Sequence, residues 1–276
     1  MKAVAGIVLA ALVASASAFA APRPSSQQQP PPQPAQKPAV SAPAPAADES
    51  MTPAQREEIR GDIFMARKMY PEAVKTYQDL LLADQRNAKI LNKVGIAYHQ
   101  MGDLRMAERY YKRSAQADKN FGSPLNNLGT IEFGKHKYKG AIKDYKRALK
   151  VDPEMAAAYC NLGYAYLERK DANDAIVAFR QAVVVDPTIF EDRGSAGSVV
   201  EQRGMTDPGQ FYYTLAKTYA IMGNAERCAH YLTMSRDEGY KKYTEALKDP
   251  AFKSVLKDPR VQIILAPAAP GATAGR

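Results

Sequence analysis

The chain has 276 residues, a formal net charge of +9 and two cysteines. That length suffices for one or two ordinary domains, and two cysteines allow at most one disulfide. The three histidines, His99, His136 and His230, have no His or Cys partner at metal-ligand spacing, so no zinc site is expected.

The N-terminus reads as a secretory signal peptide, residues 1–20. Lys2 is a short positive region, Val4 to Val13 is an apolar core too brief to span a bilayer, and Ala18-Phe19-Ala20 is a small-x-small cleavage site. An uncleaved anchor is the competing reading. No cysteine follows the apolar core, so lipid attachment is not expected. Loss of Lys2 takes the mature charge from +9 to +8. Residues 21–53 are dominated by Pro, Ala, Gln and Ser, including Gln27-Gln28-Gln29-Pro30-Pro31-Pro32. Such a stretch cannot bury enough apolar area to offset the entropy of ordering it, so a disordered, partly polyproline-II spacer is expected.

From residue 54 the chain repeats. Gly61, Gly95, Gly129 and Gly163 are 34 residues apart, as are Ala73, Ala107, Ala141 and Ala175, and the aromatics Tyr77, Tyr111, Tyr145 and Phe179. Four units follow: 54–87, 88–121, 122–155 and 156–189. Thr52-Pro53 is placed to cap the first, whose Glu57, Glu58 and Arg60 suit an end unit with one open face. The fourth carries Tyr159, Leu162-Gly163, Tyr166, Ala175, Phe179, Ala182 and Pro187, with small Gly163 and Ala175 allowing two helices to approach closely. This pattern resembles the tetratricopeptide repeat, a helix–turn–helix unit. The resemblance implies an all-α fold, a right-handed α-α superhelical solenoid.

Residues 190–208 break the pattern. Gly194-Ser195-Ala196-Gly197 lacks the Gly-Lys-Ser/Thr ending of a phosphate loop, so that reading is rejected. A partly ordered insertion is expected, with a lid over the groove as the sharper alternative. A fifth, divergent unit, 209–242, has Ala216 in the glycine slot, Cys228 in the alanine slot and Leu232 in the aromatic slot. Cys160 and Cys228 are expected to be buried free thiols, too far apart or misdirected for a bridge. Asp249-Pro250 and Asp258-Pro259 each resemble a helix start, which predicts capping helices within 243–265, at about 250–256 and 259–265. The tail, 266–276, is small and flexible in composition.

No constellation of residues forms a nucleophile motif or a metal set, so neither catalysis nor a cofactor is expected. The resemblance instead implies a concave groove lined by the first helices, where a peptide or partner helix binds. Counting each unit from its first residue, position 5 holds Asn92, Asn126 and Cys160, and position 6 holds Lys93, Asn127 and Asn161. Asn127 and Asn161 resemble the family's asparagine ladder, whose amides match a peptide unit with both donor and acceptor. Lys89, His99, Thr130 and Tyr164 are expected on the same groove. The family's carboxylate clamp needs Lys at position 5 and Asn at position 9, and these pairs are absent here.

The second helices carry recurring cations: Arg105 and Lys139 at position 18, Arg109 and Lys143 at 22, Lys112, Lys146 and Arg180 at 25, Arg113 and Arg147 at 26. Positions 18, 22 and 25 share one helix face. The stack is expected to align them into an outer basic stripe facing an anionic surface: lipid headgroups, envelope polymer or an acidic protein. The competing reading is a charged face kept for solubility. Together these features predict an exported scaffold of the bacterial periplasm or envelope. It has no transmembrane span once the signal is removed, and export makes nucleic acid an unexpected partner.

Overall fold

A computed structural model of the chain describes residues 51–190 and 206–266, all within one compact unit, Glu49–Arg276. The expected signal peptide, nearly all of the spacer, most of the insertion and nearly all of the tail lie outside the described residues. Those residues hold eleven α-helices and two 3-10 segments, with no strand among them. Helices α1 (Pro53–Ala66) and α2 (Tyr70–Ala83) fall in the first unit, α3 (Ala88–Gln100) and α4 (Leu104–Ala117) in the second. The third holds α5 (Ser123–Gly134) and α6 (Tyr138–Val151), and the fourth α7 (Ala156–Glu168) and α8 (Ala172–Val185). After the insertion come α9 (Pro208–Ile221) and α10 (Ala225–Asp237). The fold is the all-α solenoid of paired helices that the repeat pattern implies.

Local chemistry sets the boundaries. Thr52 and Gln55 form a reciprocal capping box at the start of α1, satisfying two orphan donors. Asn87, Asp103, Asp207 and Asn224 accept a first-turn N–H at the starts of α3, α4, α9 and α10. Within each pair the turn needs one residue in the left-handed region. That residue is Lys68, Gly102, His136, Lys170 or Gly223, always at position 15, with φ between 56° and 79°. Only glycine takes that conformation without a Cβ penalty. Lys170→Gly should therefore stabilise the chain, by about 0.5–1 kcal/mol in urea unfolding.

The glycines at position 8 bring each pair together. A Cβ built on Gly61, Gly95, Gly129 or Gly163 would lie 2.3–2.6 Å from the ring of Tyr77, Tyr111, Tyr145 or Phe179 on the paired helix. Those four rings are fully buried, as are the alanines at position 20. The fifth pair solves the same problem differently: buried Ala216 faces a slot filled by buried Leu232 instead of a ring. Between units the first helices touch, α3 against α5 and α5 against α7. No contact of that extent joins successive second helices among the described residues, so the first helices form the inner layer and the second helices the outer one.

The C-terminal cap differs from expectation. Asp249 and Asp258 do cap, accepting from the N–H groups of Ala251 and Arg260, and α11 spans Pro259–Leu265. The helix expected at about 250–256, however, is only a 3-10 turn, Pro250–Phe252, and a second 3-10 segment, Lys241–Leu247, precedes it. Buried side chains anchor the segment to the last helix pair. Ala246, Phe252, Val255, Val261 and Leu265 are all buried. The Lys217 ammonium meets the Asp249 carboxylate at 2.6 Å.

Candidate functional site

Most groove residues expected from the sequence are already engaged between repeats. The Asn127 Nδ2 donates to Asn92 Oδ1 at 3.0 Å, and the Asn161 Nδ2 donates to Asn126 Oδ1 at 3.0 Å. The Lys93 ammonium donates to Glu58 Oε1 at 2.7 Å, across the same 35-residue step. Position 5 of one repeat thus bonds position 6 of the next at three successive interfaces. Lys93 also meets both Asp62 oxygens, at 2.7 and 2.8 Å, and the buried Tyr77 donates its hydroxyl to Asp62 at 2.6 Å.

These contacts change the reading of several residues. Asn161 is 2% exposed and Tyr164 4% exposed, so neither lines an open groove. The Tyr164 ring is enclosed by Phe179 and Phe211, with centroids at 5.5 and 5.1 Å. Cys160 is buried beside them. Asn92 is buried as well, and Lys93 is half-buried and ion-paired. What stays open on the inner layer is Lys89, exposed, with Asn126, Asn127 and Thr130 half-buried. Among the described residues Asn126 Nδ2 and Asn127 Oδ1 have no partner, so a donor and an acceptor remain available on consecutive residues. Thr130 donates to the Asn126 carbonyl at 3.2 Å and accepts from the Tyr145 hydroxyl at 3.5 Å. His99 is half-buried, its Nδ1 3.4 Å from the Tyr111 hydroxyl, and burial lowers its pKa.

Burial by itself lowers the Lys93 pKa. The bonds to Asp62 and Glu58 outweigh it, so the ammonium is held above its usual value near 10.5. A raised pKa contributes stability that is complete below the usual lysine value and lost as pH climbs through the folded one. Lys93→Met should cost about 1 kcal/mol at neutral pH. The gap to the parent chain should narrow progressively as unfolding is repeated at pH values rising above 10.5.

On the outer layer the cations divide into two sets. Lys112 pairs with Glu108 at 2.6 Å and Arg147 with Asp144 at 2.8 Å. Bonds from Lys112 and Lys135 hold the Glu108 carboxyl below its usual range. Arg113 lies over the Tyr110 ring and Lys146 over the Tyr166 ring. Arg105, Arg109, Lys139, Lys143 and Arg180 are exposed and form no ion pair among the described residues. A cleft of about 450 Å³ between α4 and α6 has Leu125, Leu128 and Ile131 as its floor, a feature the sequence pattern did not suggest.

Both cysteines are buried and free, and burial pushes each thiol up to about 12, which keeps it protonated at neutral pH. Among the described residues no group of three or more His, Cys, Asp or Glu is placed to hold a metal, and no helix is long and apolar enough to cross a membrane.

Family models match three stretches: a TPR repeat model over 129–169, and tetratricopeptide repeat models over 156–189 and 88–121. With its helix pairs in the same register, the chain is a tetratricopeptide repeat protein. No curated protein matches it. Among solved structures it is similar to PilF of Pseudomonas aeruginosa, at 14% identity and TM-score 0.50, over 77% of this chain and 86% of that one. It is also similar to MamA of Desulfovibrio magneticus RS-1 (17% identity, TM-score 0.46, 68% and 96% covered). YrrB, described as a TPR protein with an unusual peptide-binding site, shares 17% identity over 71% and 92%, at TM-score 0.44. These likenesses concern the fold.

Proposed function

We propose that the chain is a non-catalytic scaffold that holds an extended segment of a partner protein against the inner helix layer. The observation that carries this reading is the pair of cross-repeat amide bonds. They leave the Asn126 amide N–H groups and the Asn127 carbonyl unpartnered among the described residues, on the helix layer that also carries half-buried Thr130 and exposed Lys89. A peptide backbone of any sequence satisfies such a pair, and a preformed pair loses little entropy on binding. The open stretch lies on α3 and α5, because the inner face of α7 is closed around Asn161 and Tyr164. The signal-like N-terminus, Lys2 with Val4 to Val13 and Ala18-Phe19-Ala20, supports work in the periplasm or cell envelope. The buried, protonated thiols and the lack of a nucleophile motif support a role without chemistry.

The test is capture of envelope proteins by the full chain and by Lys89→Glu with Thr130→Arg. That variant fills the open stretch and cancels its net positive charge without removing a partner of the cross-repeat bonds. Capture of the principal partner should fall at least about tenfold, with the helical circular dichroism of the folded chain retained. Equal capture by the variant contradicts the reading.

A further inference from the structure

We infer that the outer face of the first to fourth repeats is a docking surface for an anionic lipid bilayer. This surface is separate from the inner groove, and either could fail alone. Helices α4 and α6 carry nine cations, Arg105, Arg109, Lys112, Arg113, Lys139, Lys143, Lys146, Arg147 and Lys150, against two carboxylates, Glu108 and Asp144. Both carboxylates are neutralised within the fold by Lys112, Lys135 and Arg147. Arg105, Arg109, Lys139, Lys143 and Lys150 are left exposed without an ion pair among the described residues. Like charges at four-residue spacing repel one another, so this face stores an unmet attraction for anions.

The neighbouring second helices identify the anion. At positions 22 and 29, where α4 has Arg109 and Gln116 and α6 has Lys143 and Lys150, α8 has Val177 and Val184, which are 51% and 63% exposed. On the other side α2 has Leu82 at position 29, 78% exposed. The register therefore places a cationic centre between aliphatic shoulders on one outer face. A polyanion without apolar groups satisfies the cations but leaves those aliphatics in water. A bilayer interface accepts both: headgroup phosphates take the Lys and Arg heads, and the acyl boundary takes Leu82, Val177 and Val184. The α8 shoulder is close to neutral, with Asp174 and Arg180 both exposed, so it does not oppose the approach.

The full chain is sedimented with phosphatidylcholine vesicles and with vesicles that are one-third phosphatidylglycerol. The ratio of the two partition coefficients removes any contribution of the N-terminal apolar core. Arg105→Glu, Arg109→Glu, Lys139→Glu and Lys143→Glu together should lower that ratio by at least about 100-fold. Should that variant melt early, Arg109→Gln with Lys143→Gln should lower it about tenfold. Val177→Ser with Val184→Ser should reduce partition into the anionic vesicles about fivefold. An unchanged ratio in the charge variants overturns the proposal. Unchanged partition in the valine variant overturns the bilayer as partner. Binding of polyglutamate as tight as that of the vesicles, at equal charge, assigns the face to an acidic protein and overturns it too.

Discussion

Gly163→Ala should destabilise the chain by about 1–3 kcal/mol in urea unfolding, although alanine is the better helix former by about 1 kcal/mol. The new methyl would lie 2.3 Å from the Phe179 ring, in a seam where that ring is fully buried. The helices must part or the ring must leave its rotamer, and a packed interior resists both. The fifth repeat shows how the conflict is relieved, because Ala216 is paired there with Leu232. Combining Gly163→Ala with Phe179→Leu should therefore cost less than the sum of the two single changes, by about 1 kcal/mol or more. Strict additivity would mean that the glycines do not set the helix spacing.

Phe252→Ala should have a larger effect, about 3–5 kcal/mol. Phe252 is completely buried, its ring 5.7 Å from that of Tyr213 on α9, and it sits in a three-residue 3-10 turn. The same substitution should raise hydrogen exchange in α9 and α10 before α3 and α4, because stacked repeats transmit stability to neighbours first.

Which parts of this arrangement the sequence disclosed follows from the range of each signal. The glycine, alanine and aromatic register reports contacts within one helix pair, so Gly95 against Tyr111 was readable from spacing. Asp249 and Asp258 as caps were equally local. The extent of the following helix was not: burial of Phe252 and Val255 holds a short irregular turn where the Asp-Pro start suggested a longer helix. The bonds Asn92–Asn127 and Asn126–Asn161 join residues 35 apart, one more than the repeat. That step depends on how successive repeats rotate, which no residue type announces. The burial of Tyr164 escapes the repeat pattern for a related reason. Its position in the repeat matches Thr130, but only the fold places Phe211 against it. The unpaired outer cations Arg105, Arg109, Lys139, Lys143 and Arg180 could be found by their recurrence, while the neutralisation of Lys112 and Arg147 depended on where Glu108 and Asp144 project.

The central claim is that a partner protein lies along the inner layer over α3 and α5. Site-specific photocrosslinking in living cells tests it most directly, with the reactive residue placed in the full chain at Thr130 or at Gln116. Adducts to a protein from Thr130, lost when Lys89 becomes Glu, are the predicted result. Protein adducts from Gln116 on the outer layer, with none from Thr130, would contradict it.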